Sequence, residues 1–175
     1  DKYSEQTLKA ASAALDNVVF AGARERPVSV PRHLKGKDAQ AFRKGAEIYN
    51  REAHCGTCHQ PNGGGLPAAG FPPLAGSQWT LKDEQRLIKL TLKGLIGPIT
   101  VKGVQYPGQV PMTPFEHLLK DDEIAAVLTF VRNSFGNRAS PISAEQVAKV
   151  RAAEKAKTRL YDVEDLLKDH PLGDK

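Results

Sequence analysis

The sequence predicts an all-α fold carrying one small β-hairpin, and two observations predict it. Apolar residues recur at helical spacing in three stretches, 38–53, 81–94 and 121–135. Only Ile99–Tyr106 alternates in the manner of paired strands, around a Lys102-Gly103 turn.

The first predicted helix, 38–53, sets Phe42, Gly45, Tyr49 and Ala53 on one face. A glycine inside a helix costs about 1 kcal/mol against alanine, so Gly45 implies a packing reason, the close approach of another helix. The helix at 81–94 is opened by Thr80, with Asp83 three residues on as a near capping box. Its apolar face is Leu81, Ile88, Leu92 and Leu95. The helix at 121–135 repeats Ile124, Val127, Leu128, Val131 and Phe135 and stops at Gly136.

The flanks divide the chain into an N-terminal extension (1–36), a central domain (37–138) and a C-terminal helical extension (139–175). In the first, Leu8, Ala11, Leu15 and Val18 predict a short helix, followed by an extended proline-containing piece. In the last, a helix begins at Ser143 with Gln146 completing a capping box, and a second short helix lies around Val163–Lys168. Both arms are expected to wrap the core; docking on a partner is the alternative.

A length of 175 residues fits one domain with such extensions, and 40% hydrophobic and 26% charged residues are ordinary for a globular chain. No apolar run approaches the roughly 18 residues that span a bilayer. Asp1–Asn17 alternates charge with alanine and does not read as a signal peptide. The net charge of +5 is spread among 20 acidic residues, with no basic run and no aromatic-interleaved stripe. That pattern argues against nucleic acid and suits acidic protein partners.

Chemistry concentrates in Cys55-Gly56-Thr57-Cys58-His59. The two cysteines, the only ones in the chain, stand too close in sequence to staple a fold. Cys-x-x-Cys-His is instead the attachment sequence of haem c. Two thiols one helical turn apart can add to the two vinyl groups on one porphyrin edge, and the next residue then stands under the iron. A redox dithiol would need a surrounding βαβ pattern, and a zinc site a second Cys or His pair. His33, His54, His117 and His170 form no such pair.

For the sixth iron ligand the foremost candidate is Met112, the only methionine, held between Pro111 and Pro114 in Val110–Pro114. A lone methionine is ordinarily core filler, but the prolines favour a fixed sulfur position. His117, His54 or a vacant position are the alternatives.

From Lys37 to Arg138 the chain resembles the class I cytochrome c family, in particular the bacterial domains that accompany periplasmic dehydrogenases. Four segments carry the likeness: Gly45-Ala-Glu-Ile-Tyr49, Cys55–His59, Phe71-Pro-Pro-Leu-Ala-Gly76, and Gly94-Leu-Ile-Gly-Pro98 running on to Met112. The helix 121–135 completes the family order. The resemblance implies a carbonyl from Pro72 on the second ring nitrogen of His59, which would orient the ring and raise its basicity. It also implies that Leu74 packs on the haem, and that Gly45 and Tyr49 cross the last helix near Phe130. Trp79 and Arg86 are the candidates to reach a haem propionate; their plainer readings are a core aromatic and a surface charge.

The expected function is one-electron transfer through one covalent haem c with His59 and Met112 as axial ligands. The partners would be a dehydrogenase or other periplasmic oxidoreductase and a terminal acceptor. The alternative is a haem enzyme or gas sensor with an open sixth position. Paired acids, a nucleophile elbow and a dinucleotide motif are all missing, and Gly63-Gly-Gly65 lacks the ending of a phosphate loop and reads as a flexible connection. Thioether attachment takes place outside the cytoplasm, so a periplasmic location with the signal removed is expected. Lys82, Lys89, Lys93 and Lys102 are candidates for a positive rim around the exposed haem edge.

Overall fold

The computed structural model describes residues 28–52 and 54–173. The expected helix through Leu8–Val18 lies outside the described residues, as does Ala53. The rest is mostly helical, as predicted, with only a few short strands.

Helix α1 spans Gly36–Tyr49, ending short of the expected 53, and buries Phe42, Gly45 and Tyr49 of the face the periodicity marked together with Ala46 and Ile48. A five-residue helix, α2, is the motif itself, Cys55–His59. Helix α5, Asp121–Asn133, crosses α1 at Gly45. A Cβ on Gly45 would collide with the Ala126 carbonyl and lie 2.8 Å from the Phe130 Cβ. The missing side chain is therefore what lets the two backbones meet. Phe42, Tyr49, Phe130 and Phe135 pack around the crossing with neighbouring ring centroids 5.1–5.6 Å apart. The helix ends two residues sooner than its apolar pattern, because Ser134 is extended (φ −109°, ψ 175°), and Phe135 follows at φ +60°.

The helix expected at 81–94 is two helices. α3 covers Gln78–Leu81 and α4 covers Glu84–Lys93. Thr80 is not the cap. Ser77 Oγ caps α3 by accepting from the Trp79 amide (3.2 Å), and Asp83 Oδ1 caps α4 by accepting from the Arg86 amide (2.9 Å). An aspartate beside free amides is a strong N-cap, and it restarts the helix where the sequence alone looked continuous. The break leaves the Thr80 and Leu81 carbonyls without helical partners. The buried Arg132 of α5 takes both, at 2.8 and 3.3 Å.

After α4, β1 (Leu95–Ile96) leads to the hairpin of β2 (Ile99–Val101) and β3 (Val104–Tyr106), with Ile99 opposite Tyr106. Lys102 and Gly103 both hold positive φ in its two-residue turn, as the sequence indicated. Helix α6 (Ala144–Ala153) starts with the predicted reciprocal Ser143–Gln146 box, at 3.2 and 2.8 Å. It lies on α4 and α5. β4 (Tyr161–Asp162) then pairs in parallel with β1, which nothing in the sequence indicated. Helix α7 (Val163–Asp169), the last element, lies against the core through Val163 and Leu166.

Candidate functional site

The motif helix α2 is held at its C-terminal end. The hydroxyl of fully buried Tyr49, at the end of α1, donates to the Gln60 carbonyl at 2.7 Å, just past His59. The Gly65 amide donates to the His59 carbonyl at 3.0 Å, and the Leu74 and Ala75 amides donate to the Gly63 carbonyl. The three glycines are therefore a hydrogen-bonded turn rather than the flexible connection expected.

That turn brings Pro72 under His59, whose Nδ1–H donates to the Pro72 carbonyl at 2.9 Å. A carbonyl can only accept, so Nδ1 keeps the proton and Nε2 is left with a free lone pair. Burial pushes the imidazole pKa down, with the Pro72 carbonyl opposing it. The ring is thus neutral, the form that binds a metal. Burial also raises the Cys55 thiol to about 11, the backbone partly offsetting and Cys58 adding to it.

These groups face a cavity of two adjoining chambers. The outer one is lined by His54, Cys55, Cys58, His59, Tyr106 and Met112, among others. The inner one shares Cys55, His59, Pro72 and Met112 and continues to Leu74, Trp79 and the Val127–Leu128 face of α5. Seven of the eight proposed site residues therefore converge: Cys55, Cys58, His59, Pro72, Leu74, Trp79 and Met112. The eighth, Arg86, does not. It is fully buried, and its guanidinium donates to the Gln78, His170 and Pro171 carbonyls at 2.8–3.1 Å. Trp79 reaches the cavity with its ring, but its Nε1–H donates to the Thr100 carbonyl at 3.0 Å. Both polar ends expected for propionates are engaged elsewhere.

The cavity residue that the sequence marked only as a helix start is Thr80. It is fully buried and lines the inner chamber, and its hydroxyl has no hydrogen-bond partner among the described residues. A buried hydroxyl in that condition is costly unless a polar group meets it. Apolar walls, two thiols on one helical turn, a neutral imidazole and one orphaned hydroxyl together fit a flat, mostly apolar ring with a polar fringe.

The remaining histidines separate cleanly. The side chain of His117 is 92% exposed. His33 bonds Asn133 and His170 bonds Asp83. His54 lies at the cavity against the ring of Phe115, centroids 5.7 Å apart. Of the rim lysines, Lys93 is buried with Nζ on both Glu116 oxygens at 2.6–2.7 Å, and Lys89 pairs with Glu154 at 3.1 Å. Two of the four candidates thus carry neutralised charge, because the C-terminal extension and the loop after Met112 fold over them.

The sequence model of the family described as Cytochrome c matches residues 42–135, more than half of the chain. A cytochrome c-552 of Thermus thermophilus is 44% identical over 128 residues, 68% of this chain and 82% of that protein. The cytochrome c subunit of a quinone alcohol dehydrogenase from Gluconobacter oxydans is 36% identical over 109 residues, 61% of this chain and 22% of that subunit. The gluconate 2-dehydrogenase cytochrome c subunit of Pantoea cypripedii is 33% identical over 126 residues, 69% and 26%. No helix among the described residues is long and apolar enough to cross a membrane. The chain belongs to the cytochrome c family, and it is an electron-transport protein bearing haem c, whose Cys-x-x-Cys-His attachment motif Cys55 and Cys58 fit.

Proposed function

We propose that the chain passes single electrons between a periplasmic oxidoreductase, with a dehydrogenase foremost, and an acceptor, and that His59 and Met112 are the axial ligands of its one haem. When bound, the haem supplies an iron that alternates between ferrous and ferric states, and a thioether ligand raises its potential. The observation that carries the reading is the placement of Met112. It lines both chambers together with His59, and its backbone is tied to Leu95, amide to carbonyl at 2.9 Å and carbonyl to amide at 3.3 Å. A pinned backbone presents the sulfur at one depth. Pro72 orients the imidazole, and Leu74 and Trp79 keep water from the ring edge.

The partner class is supported by the dehydrogenase cytochrome subunits among the relatives. The location is supported by the chemistry of thioether attachment, which belongs outside the cytoplasm. The test is spectroscopic. The ferric protein should show the weak far-red sulfur-to-iron charge-transfer band, and the untreated ferrous protein should bind CO slowly. Met112→Ala should abolish the band and make CO binding rapid. A native protein that lacks the band and binds CO at once would favour the open-site alternative.

A further inference from the structure

The segment carrying Met112 has little structure of its own. From Pro107 to Lys120 it forms no helix and contributes no strand, and Pro107, Pro111 and Pro114 have no amide to donate. Phe115 and Leu119 are buried and Lys93 Nζ holds both Glu116 oxygens, but the segment's backbone supports are few. Met112 pairs with Leu95, and the amides of Phe115 and Glu116 donate to the Thr91 and Leu92 carbonyls at 3.0 and 3.1 Å. All of these lead to one place, the end of α4 and the start of β1.

That place is fastened from outside by the C-terminal extension. Leu95 lies between two partners, Met112 on one side and Tyr161 of β4 on the other, so the three form a miniature sheet. The Tyr161 amide donates to the Gly94 carbonyl at 3.2 Å. Gly94 sits at φ +75°, where a Cβ would strike the Met112 carbonyl on one side and come within 2.6 Å of the Leu160 side chain on the other. Leu160 and the Met112 backbone thus close on the same glycine. Further along the loop, Arg151 of α6 donates to the Glu116 carbonyl, to the Leu119 carbonyl at 3.0 Å, and pairs with Asp121 at 2.6 Å. One guanidinium thereby takes two loop carbonyls that no helix or strand satisfies.

The extension is itself anchored on both sides of this crossing. Tyr161 donates its hydroxyl to Glu154, which pairs with Lys89. Beyond α7, Arg86 holds the His170 and Pro171 carbonyls, and His170 meets Asp83 at 2.9 Å. A strap fixed at both ends and crossing behind a loop of few internal bonds limits how far that loop can swing outward.

We propose that the C-terminal extension is a clamp on the sixth-ligand loop, and that Arg151 and Leu160 are positioning residues that hold the Met112 sulfur in the cavity. This rests on the reading of Met112 as the axial ligand. Their effect is on how often the sulfur leaves rather than on where the equilibrium fold lies. Loosening the clamp raises the fraction of time the loop is open without unfolding the α1–α5 crossing.

The test uses the full holoprotein. Arg151→Met keeps the aliphatic stem and removes the fork; Leu160→Ala opens the contact at Gly94. Two readouts apply, hydrogen exchange at the Met112 and Leu95 amides and the rate at which cyanide binds the ferric protein. Each variant should raise both by about tenfold, with exchange in α1 unchanged. Phe42→Leu, in the core away from the strap, serves as the control for simple loss of stability. If the strap variants leave loop exchange and cyanide binding at the wild-type values, the proposal fails. It fails equally if Phe42→Leu, at matched loss of Tm, accelerates both as much. Met112→Ala separates the underlying reading. If it leaves cyanide binding as slow as in the wild type, Met112 is not the ligand, and the clamp then has no sulfur to hold even where loop exchange responds.

Discussion

The Nδ1–H of His59 donates to the carbonyl of Pro72, thirteen residues on, at 2.9 Å. The acceptor is backbone, so the side chain at 72 matters only through the loop it shapes. The bond fixes which imidazole nitrogen faces the cavity and leaves it unprotonated, which is the state that a metal ligand needs.

Covalent attachment is the first expectation from that geometry. Cys55 and Cys58 line the outer chamber on one turn of α2 with His59 beside them. Intact mass of the mature protein should exceed the polypeptide by one haem, and acid–acetone should leave the colour with the protein. Extraction of the haem, or a mass without it, would overturn the assignment.

Exchange of the sixth ligand should move the potential. Met112→His is expected to keep a low-spin spectrum and lower the midpoint, because imidazole favours ferric iron more than a thioether does. Potentiometry reads this directly, and a midpoint equal to that of the wild type would exclude Met112.

The helix crossing should tolerate no side chain at Gly45. A Cβ there meets the carbonyl of Ala126, which is backbone and cannot rotate away. Gly45→Val should therefore cost about 3 kcal/mol, at the upper end of overpacking penalties. Chemical denaturation measures it, and a loss under about 1 kcal/mol would mean that the helices separate at little cost.

Acid should unfasten the far end of the strap. Burial pushes the Asp83 carboxyl up, but the Arg86 amide and His170 outweigh it and hold it below the usual carboxylate range. Because the folded value lies below the unfolded one, near 3.9, the stabilisation is complete above about pH 4. It is lost as pH falls through the folded value. Asp83→Asn should thus lower stability near neutral pH by up to about 1 kcal/mol, since the pair is partly exposed. The difference from the wild type should vanish in stronger acid. A gap that stays constant with pH would assign the effect to packing rather than charge.

What was legible in the sequence was local. The motif at 55–59, the α1 and α5 faces, the Lys102-Gly103 turn and the Ser143–Gln146 cap each depend on residues within a turn or two of one another, so spacing alone identifies them. The continuous apolar pattern of 81–94 concealed a break, because one aspartate can start a second helix without disturbing periodicity. What only the tertiary structure decided was which partner each polar group found. Arg86 could have faced solvent, or a propionate, by its place on the helix; the fold gives it three carbonyls, two of them more than 80 residues away. Lys93 and Lys89 carry surface-type residues in surface-type positions, yet chain segments from 116 and 154 arrive to neutralise them. Thr80 became a cavity hydroxyl, and Leu95 a shared strand between Met112 and Tyr161, for the same reason. Charge and hydrogen-bonding capacity are properties of a residue, but their satisfaction depends on distant segments that packing brings together.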